Sequence, residues 1–108
     1  SRAVALEPDS QAALFNLGLA AIALERWTEA RAALDRLIAL TPDNPDALYN
    51  RGVVLVKLQS WREAIVDLDR ALVLRPELRN AHYYLYVAHK ALGDNAAAQA
   101  ARARYEAK

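Results

Sequence analysis

Apolar residues recur along this chain in short runs of helical spacing, broken by polar or turn-forming pairs. Leu48, Val54, Leu55 and Leu58 mark one such stripe, Gln59-Ser60 interrupts it, and Ile65, Leu68, Leu72 and Val73 take up the next. The punctuation agrees with the stripes. Asn44 suits an N-cap and Pro45 the first helical position, where the missing N–H costs nothing. Ser60-Trp61-Arg62-Glu63 has the form of a capping box, and Pro76 stops the helix it opens. Gly93 fits a C′ position and Asp94 an N-cap. No segment alternates with period two, so no strand is expected. The pattern predicts helices over 10–24, 28–40, 45–58, 61–74, 79–92 and 95–107.

The stripes themselves repeat. Pro8, Pro42 and Pro76 are spaced by 34 residues, as are Gly18 and Gly52, Trp27 and Trp61, and the series Arg2, Arg36, Arg70 and Arg104. A fixed period of this length means stacked copies of one supersecondary unit rather than a single closed core. Residues 11–44 and 45–78 are two full copies, sharing Ala13/Ala47, Leu14/Leu48, Leu24/Leu58, Ala30/Ala64, Leu34/Leu68 and Leu40/Leu74 among others. Residues 79–108 form a looser, divergent third copy and cap. Residues 1–10 fit the end of a truncated preceding copy, since Ala3–Pro8 mirrors Ala71–Pro76.

These residues resemble the tetratricopeptide repeat family: Leu14, Leu17-Gly18, Ala30, Leu34 and Pro42 in one copy, and Leu48, Gly52, Ala64, Leu68, Ala71 and Pro76 in the next. The resemblance implies an all-α solenoid, a right-handed superhelix of antiparallel helix pairs with a concave groove. Gly18 with Ala30, and Gly52 with Ala64, are small residues suited to the close approach of paired helices. Three positions depart from the pattern. Arg51 puts a charge where a core leucine is expected. Tyr86 replaces the glycine of the third copy, which should splay that helix pair or push the ring outward. Arg102 stands where Leu34 and Leu68 would pack on a following repeat, which suggests that none follows.

Composition narrows the function classes. The 108 residues are 55% hydrophobic, enough to build a packed core, and 14 basic against 13 acidic residues leave no basic excess for a dedicated nucleic-acid binder. No cysteine is present, which removes disulfides, thiolate metal sites and cysteine nucleophiles. No apolar run approaches the ~20 residues of a membrane span, so no membrane insertion is expected. The chain starts at Ser1 without an initiator methionine and reads as a piece of a larger protein; its wealth of Ala and Arg suits a bacterial source, in cytoplasm or periplasm.

Candidate chemistry is sparse. His82 and His89 lie two turns apart, about 10.5 Å along a helix, too far to share a metal ion, and read as packing residues. Asp67 and Asp69 do not face each other on a helix, and Asp69 repeats Asp35. No phosphate-binding glycine loop or nucleophile elbow occurs. No catalytic, metal or cofactor-binding residue is expected, and no cofactor. The in-phase arginines read as solvated charges.

What remains is a surface. By resemblance, the groove-facing positions are Phe15, Asn16, Leu19 and Ile22; Tyr49, Asn50, Val53 and Val56; and Tyr83, Tyr84, Val87 and Lys90. They make an aromatic column (Phe15, Tyr49, Tyr83) beside an aliphatic one (Leu19, Val53, Val87). Repeats that grip acidic chaperone tails carry a basic clamp here, and Phe15, Leu19, Tyr83 and Val87 replace its basic members. Asn16 and Asn50 look instead like the asparagine ladder of the O-linked N-acetylglucosamine transferase repeats, whose amides pair with peptide backbone. The expectation is a scaffold-type interaction module that binds a protein or peptide segment in its groove. The alternatives are a structural segment that self-associates through the truncated N-terminal face, or an accessory domain of an enzyme encoded elsewhere in the parent chain.

Overall fold

Six helices follow one another in the computed structural model, which describes residues 10–107: α1 (Gln11–Ala23), α2 (Trp27–Leu40), α3 (Pro45–Lys57), α4 (Trp61–Leu74), α5 (Arg79–Ala91) and α6 (Asn95–Glu106). Among the described residues there is no strand. The helix bounds lie within one residue of those the sequence predicts. The remnant expected at 1–10 falls, apart from Ser10, outside the described residues.

The ends of the helices explain this agreement. Asn44 caps α3 by accepting from the amides of Asp46 and Ala47 at 3.0 and 3.2 Å, with Pro45 at the first position. Asp94 caps α6 through the Ala97 amide. Gly93, at φ 81°, sits in the left-handed region after α5. Its amide donates to Lys90, and that of Asp94 donates to His89, the two bonds of a Schellman stop.

The same stop closes α1 and α3 without glycine. Glu25 (φ 58°) and Gln59 (φ 63°) hold the left-handed position there. This overturns the expected capping box at Ser60. The Ser60 amide, which Glu63 would have to reach, donates instead to the Leu55 carbonyl at 2.8 Å. The Ser60 side chain makes no cap bond, its backbone lying at ψ 70° rather than extended.

Helices pair α1 with α2, α3 with α4 and α5 with α6, and each pair packs on the next. Two apolar clusters result. Leu14, Ala21, Ala30, Leu34, Leu37, Ala47 and Val54 form the first; Leu55, Val56, Ala64, Leu68, Ala81, Leu85, Ala88 and Ala101 form the second. Helix α3 faces both, giving Val54 to one and Leu55 and Val56 to the other. Leu34 and Leu68 are wholly buried. At about 1.5–3 kcal/mol per buried leucine side chain, packing outweighs any single cap, worth about 1 kcal/mol.

The close approaches run through these leucines. A Cβ on Gly18 would lie 3.0 Å from Leu34, and one on Gly52 2.7 Å from Leu68; the carbonyl of Ala64 is farther, at 3.5 Å. Tyr86 does not splay the third pair, for α5 and α6 stay packed as α3 and α4 do. Its facing position holds Arg102, whose exposed side chain bonds Glu106 at 3.1 Å and leaves room for a half-buried ring.

Arg51 enters the stack with its charge compensated. Its guanidinium donates to both carboxylate oxygens of Asp67, at 2.6 and 2.9 Å, and to Asp35 at 3.0 Å. Asp67 is only 6% exposed in its side chain. Arg31 extends the network to Glu63 and approaches Asp35 at 3.8 Å, so five charges tie α2, α3 and α4 around a cavity of about 230 Å³. Arg70 bridges to Asp43 and Arg75 to Asp46, each at 2.5 Å.

Candidate partner-binding groove

Among the described residues, the backbones of α1 and α3, and of α3 and α5, approach closely, while those of α2, α4 and α6 do not approach one another and α2 reaches α4 only through the long Arg31 side chain. A stack with one closely spaced row of helices curves with that row inside. The inner side is therefore the α1–α3–α5 face, where the twelve groove positions were expected.

They are not equally available. Asn16, Leu19, Tyr83 and Lys90 are exposed, Leu19 at 39% and Tyr83 at 44%. Phe15, Ile22, Tyr49, Asn50, Tyr84 and Val87 are half-buried, most of them leaning on the two apolar clusters. Val53 and Val56 are buried, at 8% and 7%. They differ from their expected role because α3, the central helix, has neighbours on both sides, and Val56 is spent in the second cluster.

The aromatic column is also rearranged. Tyr49 meets Tyr84, not Tyr83, with ring centroids 6.2 Å apart and planes at 70°. Tyr84 meets Tyr83 edge-on at 5.2 Å, and Tyr83 meets Tyr105 of α6 at 5.5 Å. The rings form one chain from the groove onto the last helix, in the offset and edge-to-face geometry that aromatic quadrupoles prefer. Phe15 stands apart, packed on the first cluster. Burial, followed by the neighbouring Tyr84, raises the Tyr49 hydroxyl above its ordinary pKa, while Asn80 opposes it through a hydrogen bond. Burial and then Tyr83 and Tyr105 raise Tyr84.

The polar groups behave less uniformly than a ladder. Asn50 donates its amide to the Asp46 carbonyl of its own helix at 2.7 Å. Asn16 is exposed. Lys90 donates to the Tyr86 hydroxyl at 3.2 Å and lies 5.5 Å from that ring's centroid.

Two participants were missed in the sequence. Tyr105 joins the aromatic chain, and Arg79 holds it, donating to its carbonyl at 2.6 Å and lying over its ring at 4.8 Å. The 34-residue frame contained the signal, for Tyr105 falls at the position of the buried Leu37 and Ala71.

On the opposite side of the second interface, a cavity of about 400 Å³ is lined by Asp69, Leu72, Val73, Pro76, His82, Leu85 and Arg104. His82 is held below its ordinary pKa by burial and then by Arg104, with Asp69 opposing. Asp69 is raised by burial, with His89 and His82 opposing. Among the described residues no group of three or more His, Cys, Asp or Glu side chains is arranged to hold a metal ion, and no helix is long and apolar enough to cross a membrane.

Paired antiparallel helices in a curved stack, with small residues at the crossings, define a helical-repeat protein. The family model described as tetratricopeptide repeat matches residues 17–106, and the chain belongs to that family. Solved structures agree. The structure titled MamA MSR-1 superposes with a TM-score of 0.84 at 25% identity, over 94% of this chain and 58% of that one. The tetratricopeptide domain of Arabidopsis OM64 superposes with a TM-score of 0.85 at 20% identity, over 88% of this chain and 78% of that one. The TPR2B domain of yeast Sti1, in complex with pHsp70, gives 0.82 at 24% identity, over 88% and 76% of the two chains. The last two likenesses show the fold alone. The chain thus spans little more than half the length of the MamA structure. No curated protein sequence matches the chain.

Proposed function

We propose that this chain is a protein–protein interaction module, built of repeats at 11–44, 45–78 and 79–108, that receives a peptide or helix against its α1–α3–α5 face. The observation that carries this is the exposure of Leu19 and Tyr83 on the inner row of helices, with Asn16 beside them. Large apolar side chains left exposed on the concave side of a rigid scaffold are the anchors such surfaces use. The Sti1 domain is a tetratricopeptide fold in complex with a chaperone peptide. In this chain Phe15, Leu19, Tyr83 and Val87 occupy the positions a basic clamp would need, so the groove suits an apolar segment rather than an acidic chaperone tail.

Selection of peptides from a displayed library tests the reading. Binders chosen on the wild-type chain should lose affinity at least about 30-fold with Tyr83→Ala, as for an aromatic anchor worth about 2 kcal/mol. Leu19→Asp should also weaken them. Binders indifferent to both changes would move the site off this face.

A second reading rests on Leu17, 54% exposed on α1. Self-association through that helix predicts a mass that rises with concentration and a Leu17→Lys variant that stays monomeric.

A further inference from the structure

The last helix pair departs from the others at three linked positions. Where α1–α4 carry Gly18 and Gly52, α5 carries Tyr86. Where they bury Leu34 and Leu68, α6 carries Arg102, and where they bury Leu37 and Ala71, it carries Tyr105. A surface that elsewhere seals helix against helix with aliphatic side chains is here made of tyrosine rings and a guanidinium. This is neither an apolar stacking face nor an ordinary solvated one.

Tyr83, Tyr86, Arg102, Tyr105 and Glu106 enclose a cavity of about 270 Å³. Sites for whole small molecules begin at roughly 300 Å³, so this one suits a single large side chain. The charge around it is lopsided. Arg79 lies over Tyr105 and Lys90 over Tyr86, at 4.8 and 5.5 Å, and Arg102 lines the cavity itself. Glu106 is the only carboxylate among the lining residues. Among the described residues Arg102 uses its Nε on Glu106, which leaves the terminal nitrogens of its fork free for a carboxylate from outside.

We infer that the α5/α6 end face docks an acidic protein segment that inserts one aromatic or large aliphatic side chain between Tyr83, Tyr86 and Tyr105. The inference rests on the chain being an interaction module but goes beyond the groove, with which this face shares only Tyr83 and Lys90. The rings supply edges and faces for the anchor. The cations around them supply attraction that salt weakens, unlike the largely uncharged groove.

Fluorescence anisotropy with three labelled peptides tests this on the 108-residue chain. One peptide carries a phenylalanine flanked by glutamates, the second has lysines in place of the glutamates, and the third has glycine in place of the phenylalanine. The first should bind, and the other two should bind at least about tenfold more weakly. Arg102→Glu should weaken the first peptide by roughly fivefold, and Glu106→Gln should tighten it. Arg62→Glu, an equal charge change on α4, should leave it unchanged. Equal binding of the three peptides, or no response to the two α6 variants, overturns the inference. Loss of binding on Leu19→Asp instead of Arg102→Glu also overturns it, placing the peptide in the groove and leaving the proposed function standing. A dimer of the chain alone that Arg102→Glu dissolves in sedimentation overturns it too, because the occupant is then a second copy.

Discussion

A Cβ built on Gly52 would lie 2.7 Å from Cγ of Leu68, and Leu68 has no exposure through which to move away. The contact at Gly18 is looser, 3.0 Å from the end of Leu34. Alanine gains about 1 kcal/mol over glycine in a helix, and overpacking a core costs about 1–3 kcal/mol. Gly52→Ala should therefore destabilise the chain by about 1 kcal/mol, while Gly18→Ala should come close to neutral. Urea melts of the two variants check the order. Leu68→Ala, which empties the same contact, should cost about 2–5 kcal/mol.

The left-handed turns at Glu25 and Gln59 give a prediction of the opposite sign. Both hold a Cβ in a conformation that glycine adopts freely, and Gly93 shows the unstrained version of the same stop. Glu25→Gly and Gln59→Gly should each stabilise the chain by about 0.5–1 kcal/mol, and Gly93→Ala should destabilise it by a similar amount. Thermal melts that rank the three otherwise would show that the side chains of Glu25 and Gln59 compensate their backbone.

The half-buried Arg51 and the nearly buried Asp67 form a pair whose members are worth little apart. Arg51→Leu leaves the nearly buried Asp67 without its cation and should cost about 3 kcal/mol. The third copy shows the repair: its equivalents of Arg51 and Asp67 are Leu85 and Ala101, both buried in an apolar interface. The double change Arg51→Leu with Asp67→Ala should recover most of the loss. A double variant as unstable as the single one would mean that Asp35, also bound to Arg51, carries the cost.

His82 and His89 occupy the positions at which the second copy buries Leu48 and Leu55. His82 faces Asp69 of α4 and Arg104 of α6, and burial holds its folded pKa below the ordinary value of about 6.5. As pH falls, the unfolded chain takes up this proton first. The contribution of His82 to stability is thus whole above about pH 6.5 and declines below it, until the folded imidazole also protonates. The raised Asp69 acts in reverse, its burden being relieved as pH falls through its own folded pKa. The His82 effect should therefore be read above about pH 5.5, clear of the carboxylate range. Urea midpoints measured across that window should slope for the wild type and flatten for His82→Leu. Equal slopes would remove His82 as the cause.

The features legible in the sequence were those set by local chemistry. Helix bounds followed from Asn44, Pro45, Asp94 and Gly93, whose roles depend on the few residues around them. The stacked pairs followed from the 34-residue period. Other features needed the third dimension. Ser60 and Glu63 have the letters of a capping box, but the turn at Gln59 had already claimed the Ser60 amide. Arg51 read as a charge at a core position, and the carboxylate that compensates it lies 16 residues away on another helix. In the groove, the twelve positions shared a face but not an exposure: Val53 and Val56 belong to the central helix, which is covered from both sides. Tyr105 lies on α6, outside the row of helices that lines the groove, and only the repeat frame, which sets it against Leu37 and Ala71, signals it.

Helix α3 gives Val54 to one apolar cluster and Leu55 and Val56 to the other. It is the shared wall of two otherwise separate rooms. The outer pairs can open alone, each losing one cluster and leaving the other roofed, but α3 cannot leave without unroofing both. Amide hydrogens of α3 should thus exchange only through whole-molecule unfolding, and those of α1 and α6 through local fraying at lower cost. A partner laid across the inner row would clamp α1 and α5 to a helix that is already packed on both sides, so its ordering cost should fall on the two ends rather than on the centre of the site.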